Sequence, residues 1–210
     1  LKGLTVGSVS PNSPMDIELD LGLKQVGMTL DDVELKVLSF PNMLAALASQ
    51  NLDAAMLVEP FVAIAAKQGA GVRIAGADEM SPDFNVSGVI YGETFMNDKP
   101  EAAAKYLEAY VRGVRFYLDA IQTKEGKDEL FAIVGEYARL KDRAILDTIA
   151  FPGFDRDGYF NIDTINLTMD WFADKGMLKE KPAMKDMVDF SYLNAALDKI
   201  GRTGPRIDVE

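Results

Sequence analysis

The sequence predicts an α/β fold, with a mainly parallel sheet in residues 1–90 and a mostly helical part in residues 91–210. Two observations lead to this expectation. Strand-like and helix-like segments alternate throughout the first part, which is typical of parallel strands covered by helices. From Pro100 onward, apolar residues recur at helical spacing and strand-like stretches are almost absent. We therefore expect two parts of different character, with a boundary near residues 84–95.

The first strand and the first helix carry the clearest local signals. LTVGSV, at residues 4–9, has the composition of a short strand, and the turn-rich SPNSP follows it. Ser13 suits the N-cap of a helix, Pro14 suits its first position, and Asp16 completes an S-x-x-D capping pattern. These residues predict a helix over 14–26, which the following glycine ends.

The same alternation continues to the end of the first part. Ala54–Val58 lacks an in–out pattern, as expected for a strand whose two faces are both buried. Further strands are predicted at 33–38, 72–75 and 86–91, and helices at 43–49 and 60–68.

The second part reads as a set of amphipathic helices. A long helix is predicted from Pro100, because apolar residues trace one face as far as Ile121. Such helices need a sheet on which to pack, so we expect that sheet to come from residues upstream of Leu1. FDRDGYFNID, at residues 154–163, lacks two ligand positions of a calcium loop, and we expect a turn there. More helices are predicted near 125–138, 141–150, 162–175 and 190–200.

The composition excludes several classes of function. The formal net charge of −11 opposes binding to nucleic acids or to anionic membrane surfaces. The chain contains no cysteine and no histidine, which removes thiolate and imidazole catalysis and most zinc sites. No apolar stretch approaches the ~20 residues of a membrane helix. We accordingly expect no metal site, no cofactor and no direct membrane span.

Candidate binding residues follow the predicted strands, since parallel sheets bind ligands beyond the carboxyl ends of their strands. After the first strand, a polar loop meets a helix N-terminus, where backbone N–H groups favour a polar or anionic ligand group. After the third strand, Pro60 holds Glu59 where a cleft should open. Structural roles stay open for Ser13 and Asn42 as helix caps, Phe40 in the core, and Glu59 as a helix-starting charge. The candidates are Ser10, Asn12, Ser13, Phe40, Asn42, Val58 and Glu59.

Several blocks, in the same order, make the chain resemble the solute-binding proteins of ABC importers for nitrate, sulfonate, taurine and thiamine-precursor pyrimidines. LKGLTVGSVSPNSP, at residues 1–14, is similar to a strand and ligand loop of that family. FPNMLAALASQNLDAAMLVEPF, at residues 40–61, is similar to its block that ends in an acidic residue and proline. KPEAAAKYLEAYVRGVRFYLD at 99–119 and DFSYLNAALDKIG at 189–201 resemble its long helix and its C-terminal helix.

The resemblance implies a type II periplasmic-binding-protein fold of two lobes, with the N-terminal part of one lobe missing from this chain. It implies a non-enzymatic, extracytoplasmic protein that captures a small polar or organic ligand and delivers it to an ABC transporter permease. By position, Asn12 and Ser13 fall on the family's anion-contacting loop, although Pro14 replaces a second serine there. Val58 falls where alkanesulfonate binders often carry Trp. Glu59 falls on the acidic residue before proline, placed to accept hydrogen bonds from a donor-rich or amine-bearing ligand.

Other classes of protein share related lobes. Sensor modules bind a ligand but report to a receptor, and LysR-type effector domains follow a DNA-binding region. Fungal thiamine-pyrimidine synthases share the fold, but the resemblance implies that they need a histidine and cysteines, which this chain lacks. The sequence therefore favours a transport binding protein, with the sensor module and the LysR-type effector domain as alternatives.

Overall fold

A computed structural model describes residues 1–209 and divides the chain into two compact units. The first unit consists of Leu1–Val86 together with Leu140–Phe151. The second unit consists of Ser87–Arg139 and the residues from Pro152 onward. The segment 140–151, which the sequence assigned to the helical second part, thus belongs with the first unit.

The first unit is built on a three-stranded parallel sheet in the spatial order β2–β1–β3. The strands are β1 (Thr5–Ser8), β2 (Glu34–Val37) and β3 (Ala54–Ala55). Leu19 and Leu23 lie on one face of the first helix and cover Val6 at the centre of the sheet. The helices of this unit are α1 (Pro14–Gln25), α2 (Phe40–Ala48), α3 (Phe61–Lys67), α4 (Ala77–Met80) and α8 (Arg143–Leu146), with a 3₁₀ turn at Leu30–Asp32.

Two of the predicted strands do not form. Residues 72–75 and 86–91 pair with no other strand within residues 1–209. Val72 is 84% exposed and Ile90 is 92% exposed, so their apolar side chains cover nothing. Alternating apolar residues predict a strand, but a strand also needs a neighbour that satisfies its N–H and C=O groups. For the same reason β3 is shorter than predicted, since only Ala54–Ala55 pairs with β1.

The helices of the second unit pack on one another. Among the residues that the structure describes, this unit contains no β-strand. Its core centres on α6 and α11, where Val111 meets Leu193 and Leu197. The predicted sheet upstream of Leu1 stays a prediction. The helices are α5 (Glu93–Asp98), α6 (Pro100–Ala120), α7 (Lys124–Tyr137), α9 (Ile162–Asp174), α10 (Met184–Met187) and α11 (Ser191–Ile200).

Most predicted helices are confirmed within a few residues, but the helix predicted at 141–150 is much shorter. It forms only α8, which Asp142 begins by accepting hydrogen bonds from the backbone N–H of Ala144 (3.0 Å) and Ile145 (3.4 Å). No helix within residues 1–209 is long and apolar enough to span a bilayer.

A buried carboxylate organises the second unit. Asp157 accepts hydrogen bonds from the guanidinium of Arg115 at 2.6 Å, the backbone N–H of Thr203 at 2.8 Å and that of Gly204 at 2.9 Å. Burial alone would raise the pKa of Asp157, but these backbone donors and the guanidinium outweigh burial and lower the pKa to about 2. Asp155 also accepts hydrogen bonds from the backbone N–H groups of Asp157 and Tyr159, so the predicted turn forms here, before α9.

Candidate functional site

The carboxyl ends of the three parallel strands lie at one edge of the sheet, where ligands of α/β proteins bind. Because β1 is the central strand, its loop lies between those that follow β2 and β3. Every binding residue predicted from the sequence follows one of these three strand ends. The topology therefore brings the three candidate groups to the same edge.

The loop after β1 contains one buried residue that caps a helix and two exposed residues. Ser13 is buried and caps α1, because its Oγ accepts a hydrogen bond from the N–H of Asp16 at 3.4 Å. Ser10 and Asn12 are exposed, and Asn12 has a φ of +57°, a left-handed conformation that asparagine tolerates. The two exposed residues are the ones that a ligand can reach from solvent.

A buried hydrogen bond beneath this loop was missed by sequence reasoning. The hydroxyl of Ser8 donates to the carboxylate of Asp16, and the two residues are only 1% and 2% exposed. The capping pattern assigned Asp16 to the start of its own helix, whereas its carboxylate instead ties α1 to the end of β1. The S-x-x-D spacing was a real signal for the helix start, but it could not reveal this partner.

Helix α1 also buries two further acidic residues. Asp20 forms an ion pair of 2.8 Å with Lys24. Glu18 is 5% exposed, and its Oε1 has no hydrogen-bond partner within residues 1–209. Burial raises the pKa of Glu18, because its charged form loses hydration. The helix beside the β1 loop thus carries buried acidic groups, which disfavour a highly charged anion there.

Phe40 links two of the strand ends. It begins α2, three residues earlier than predicted, and its ring stacks on that of Phe61 with centroids 5.6 Å apart. Ser39 takes the N-cap position, so the alternative role of Asn42 as the helix cap is wrong. Asn42 lies exposed in the first turn of α2.

Glu59 makes two backbone contacts through its half-buried carboxylate. Its Oε2 accepts from the N–H of Ala63 at 3.2 Å, which fits the helix-starting role left open above. Its Oε1 accepts from the N–H of Ala150 at 3.0 Å and so ties the segment after α8 to the start of α3. Val58 lies beside it, 36% exposed. The second contact joins residues 91 positions apart, and no local pattern could predict it.

A pocket of about 540 Å³ opens beside Glu59. One wall comes from α3 and the other from α8 and the residues after it, all within the first unit. Lys67 lines the pocket and pairs with Asp142 at 2.7 Å. The apolar part of the lining consists of Val62, Ala63, Ala66, Ala144, Ile149 and Ala150.

The fold of the chain, helices packed on a parallel sheet, is shared with a solved structure. The chain superimposes on the ligand-binding component of an ABC-type import system from Staphylococcus aureus, crystallised with zinc bound, with a TM-score of 0.76 at 18% sequence identity. The alignment covers 93% of this chain and 64% of that one, so the chain spans less than two thirds of that neighbour. The predicted α/β fold of the periplasmic-binding-protein type is therefore confirmed.

The sequence also places the chain in a family. A model of the NMT1-like family matches residues 2–134, and the chain belongs to that family. No curated protein matches the sequence. The zinc is a feature of the bacterial neighbour, and this chain contains neither histidine nor cysteine, the residues that hold most protein zinc.

Proposed function

We propose that this protein is the solute-binding component of an ABC importer. It captures a small polar or organic ligand outside the cytoplasm and delivers that ligand to the permease of the importer. The observation that carries the proposal is the convergence of three polar loops at the carboxyl edge of the β2–β1–β3 sheet. Membership of the NMT1-like family and the fold shared with an ABC-type ligand-binding component support it.

In this proposal the accessible residues of the three loops contact the ligand. The solvent-facing members of the set are Ser10, Asn12, Asn42 and Val58, with Phe40 at their side. Hydroxyl and amide groups supply hydrogen bonds, and the ring of Phe40 supplies an apolar surface. Ser13 acts indirectly, because its hydroxyl holds the start of α1 and thereby the shape of the loop.

The binding proposal is tested by a thermal-shift screen of the chain. The panel contains nitrate, bicarbonate, taurine, alkyl and aryl sulfonates, pyrimidines and amines. A solute at ~100 times its dissociation constant stabilises the folded state by roughly 2.7 kcal/mol, which raises the melting temperature by about 5–11 °C. Asn42→Ala should reduce the shift, whereas the matched change Asn97→Ala, at an exposed position of α5 in the second unit, should not. A flat response to the whole panel would contradict the proposal.

The absence of catalysis is a separate part of the proposal. A binding protein releases its solute unchanged, so the solute that shifts the melting temperature should be recovered intact after prolonged incubation. Mass spectrometry of the solute measures this directly. Conversion to a product in wild-type protein, and loss of that conversion in Asn42→Ala, would replace the transport proposal with an enzymatic one.

A further inference from the structure

A short helix, α4, packs against one face of α1. The side-chain amide of Gln25 donates hydrogen bonds to the backbone oxygens of Glu79 at 3.2 Å and of Met80 at 2.9 Å. The side chain of Met80 lies over Gly22, where an added Cβ atom would come within 2.8 Å of it. Positions 18, 22 and 25 share one face of a helix, because they are spaced i, i+4 and i+7. Glu18 therefore belongs to the face of α1 that α4 covers.

Two buried polar groups of this interface have no hydrogen-bond partner within residues 1–209. One is the Oε1 atom of Glu18, a residue that is 5% exposed. The other is the hydroxyl of Ser81, which directly follows α4 and is 8% exposed. Unpaired buried polar groups destabilise the folded state, so two of them at one interface indicate a function or a missing contact. A protonated carboxyl group can donate a hydrogen bond and a hydroxyl can accept one, so the two groups can satisfy each other.

The ionised form of Glu18 has no cation to compensate its charge. Lys24, on the same helix, pairs with Asp20 at 2.8 Å, and Arg73 pairs with both carboxylates of α4 at 3.2 Å. Strand β1 carries no charged residue. The other charged residues of α1, of the 3₁₀ turn that contacts it, of α4 and of the loop after α4 are Asp16, Asp31, Asp32, Asp78, Glu79 and Asp83. Within the described part of the chain, no lysine or arginine forms an ion pair with Glu18, so its ionisation leaves a buried charge without a counterion.

We infer that the α1–α4 interface is a pH-sensitive switch, in which protonated Glu18 donates a hydrogen bond to the hydroxyl of Ser81 and ionised Glu18 releases α4. A carboxylate that loses its proton must regain water, and it does so when residues 77–84 move away from α1. The switch lies on the covered face of α1 and requires no ligand. It goes beyond the proposed function, because it adds a pH-dependent local opening to the first unit.

Amide hydrogen exchange between pH 4 and 8, corrected for the intrinsic exchange rates, tests the switch. The reporters are the N–H groups of Met80, Ser81 and Phe84, which donate to backbone oxygens at 3.1, 2.8 and 3.3 Å. Burial raises the pKa of Glu18 above its ordinary value of 4.5, so the closed interface is fully stabilised below pH 4.5 and loses this stabilisation as pH rises through the raised pKa. We expect protection of the three amides to fall by up to about tenfold per pH unit in that interval.

Two variants separate the charge of Glu18 from its size. Glu18→Gln keeps a hydrogen-bond donor but cannot ionise, so the three amides should remain protected, with no dependence on pH. The matched change Glu34→Gln, at an exposed carboxylate on β2, should leave the wild-type dependence on pH unchanged. Ser81→Ala removes the acceptor and keeps Glu18, so it should reduce protection at pH 4 and flatten the dependence on pH. This variant also keeps the test valid if Glu18→Gln disturbs folding.

Three outcomes would overturn the inference. The first is protection of the three amides that does not fall between pH 4 and 8, or that falls equally in Glu18→Gln. The second is an unchanged dependence on pH in Ser81→Ala. The third is protection at pH 8 that increases with sodium chloride but not with choline chloride at the same ionic strength, because a bound metal cation would then compensate Glu18. The proposed function is tested separately, by the thermal-shift screen.

Discussion

The two units differ in the hydrogen bonds and the pKa of their buried carboxylates. In the second unit, Asp157 is enclosed by an arginine and by backbone donors, and its pKa falls to about 2. In the first unit, Glu18 is just as buried, but one of its oxygens has no partner within residues 1–209, and burial raises its pKa.

This difference distinguishes a carboxylate that only stabilises the fold from one that can still accept a hydrogen bond from another group. A buried carboxylate whose hydrogen bonds are all made stabilises a single arrangement of the chain. A carboxylate with unused acceptors costs free energy until something satisfies it. Glu59 lies between these cases, because each of its oxygens has one backbone donor and neither oxygen pairs with a lysine or arginine within residues 1–209. This comparison agrees with our proposal that the ligand-binding residues lie in the first unit.

The largest effect is expected from breaking the carboxylate centre of the second unit. Asp157→Asn should lower the free energy of unfolding by about 3 kcal/mol, because Arg115 then keeps its charge without its counterion. Urea denaturation measures the change. The control is Asp119→Asn, which breaks the exposed ion pair with Arg156 and should change the free energy of unfolding much less, because water screens exposed charges. Similar losses in the two variants would show that Asp157 is not the centre of this unit.

The two buried carboxylates should also give opposite dependence on pH. The folded pKa of Asp157 is about 2, below its ordinary value of 3.8, so its contribution is complete above pH 3.8 and is lost toward pH 2. That contribution is on the order of 2 kcal/mol. Glu18 has a raised folded pKa, so its ionisation lowers stability as pH rises above its ordinary value of 4.5.

Unfolding free energies between pH 2 and 8 measure both slopes. Asp157→Asn should remove the acid-side slope, and Glu18→Met should remove the slope above pH 4.5 and stabilise the protein at pH 7 by about 1 kcal/mol. A Glu18→Met protein that is less stable than wild type at pH 7 would mean that Glu18 has a stabilising partner.

A smaller effect on stability is expected from removing the two hydrogen bonds that the Glu59 carboxylate accepts. Glu59→Ala leaves the N–H groups of Ala63 and Ala150 without their acceptor and should cost about 1 kcal/mol. Amide hydrogen exchange should accelerate at Ala150, whereas Lys67→Met, which removes a neighbouring exposed ion pair, should leave that amide protected. An unchanged exchange rate at Ala150 in Glu59→Ala would show that the Ala150 N–H does not donate to Glu59.

The smallest effect is expected at the strand-like segment that remains unpaired. Ile74 is 70% exposed, so Ile74→Thr should change stability by less than about 0.5 kcal/mol. Val6→Ala, in the paired and buried strand β1, should cost about 2 kcal/mol on the same assay. A large loss from Ile74→Thr would show that this segment is covered in solution, for example by a second copy of the chain.

Local signals in the sequence predicted local structure well. Ser13 and Pro14 placed the start of α1, and the apolar face beginning at Pro100 placed α6. The failures have a common physical cause, which is a distant partner. Residues 72–75 alternate like a strand but pair with no strand in the described part of the chain, and the contact of Glu59 with Ala150 spans 91 positions. Of the candidate site, the strand-end loops could be predicted, but the pocket against α8 could not.

The most direct test of a binding site in the first unit is hydrogen–deuterium exchange with and without the solute that gives the largest melting shift. We expect protection in the loops after the three strands, at residues 8–13, 38–42 and 56–63. The helices around Asp157 and α11 should exchange as in the free protein. Protection confined to the second unit, or none in these three loops, would contradict the assignment of ligand binding to the carboxyl edge of the sheet.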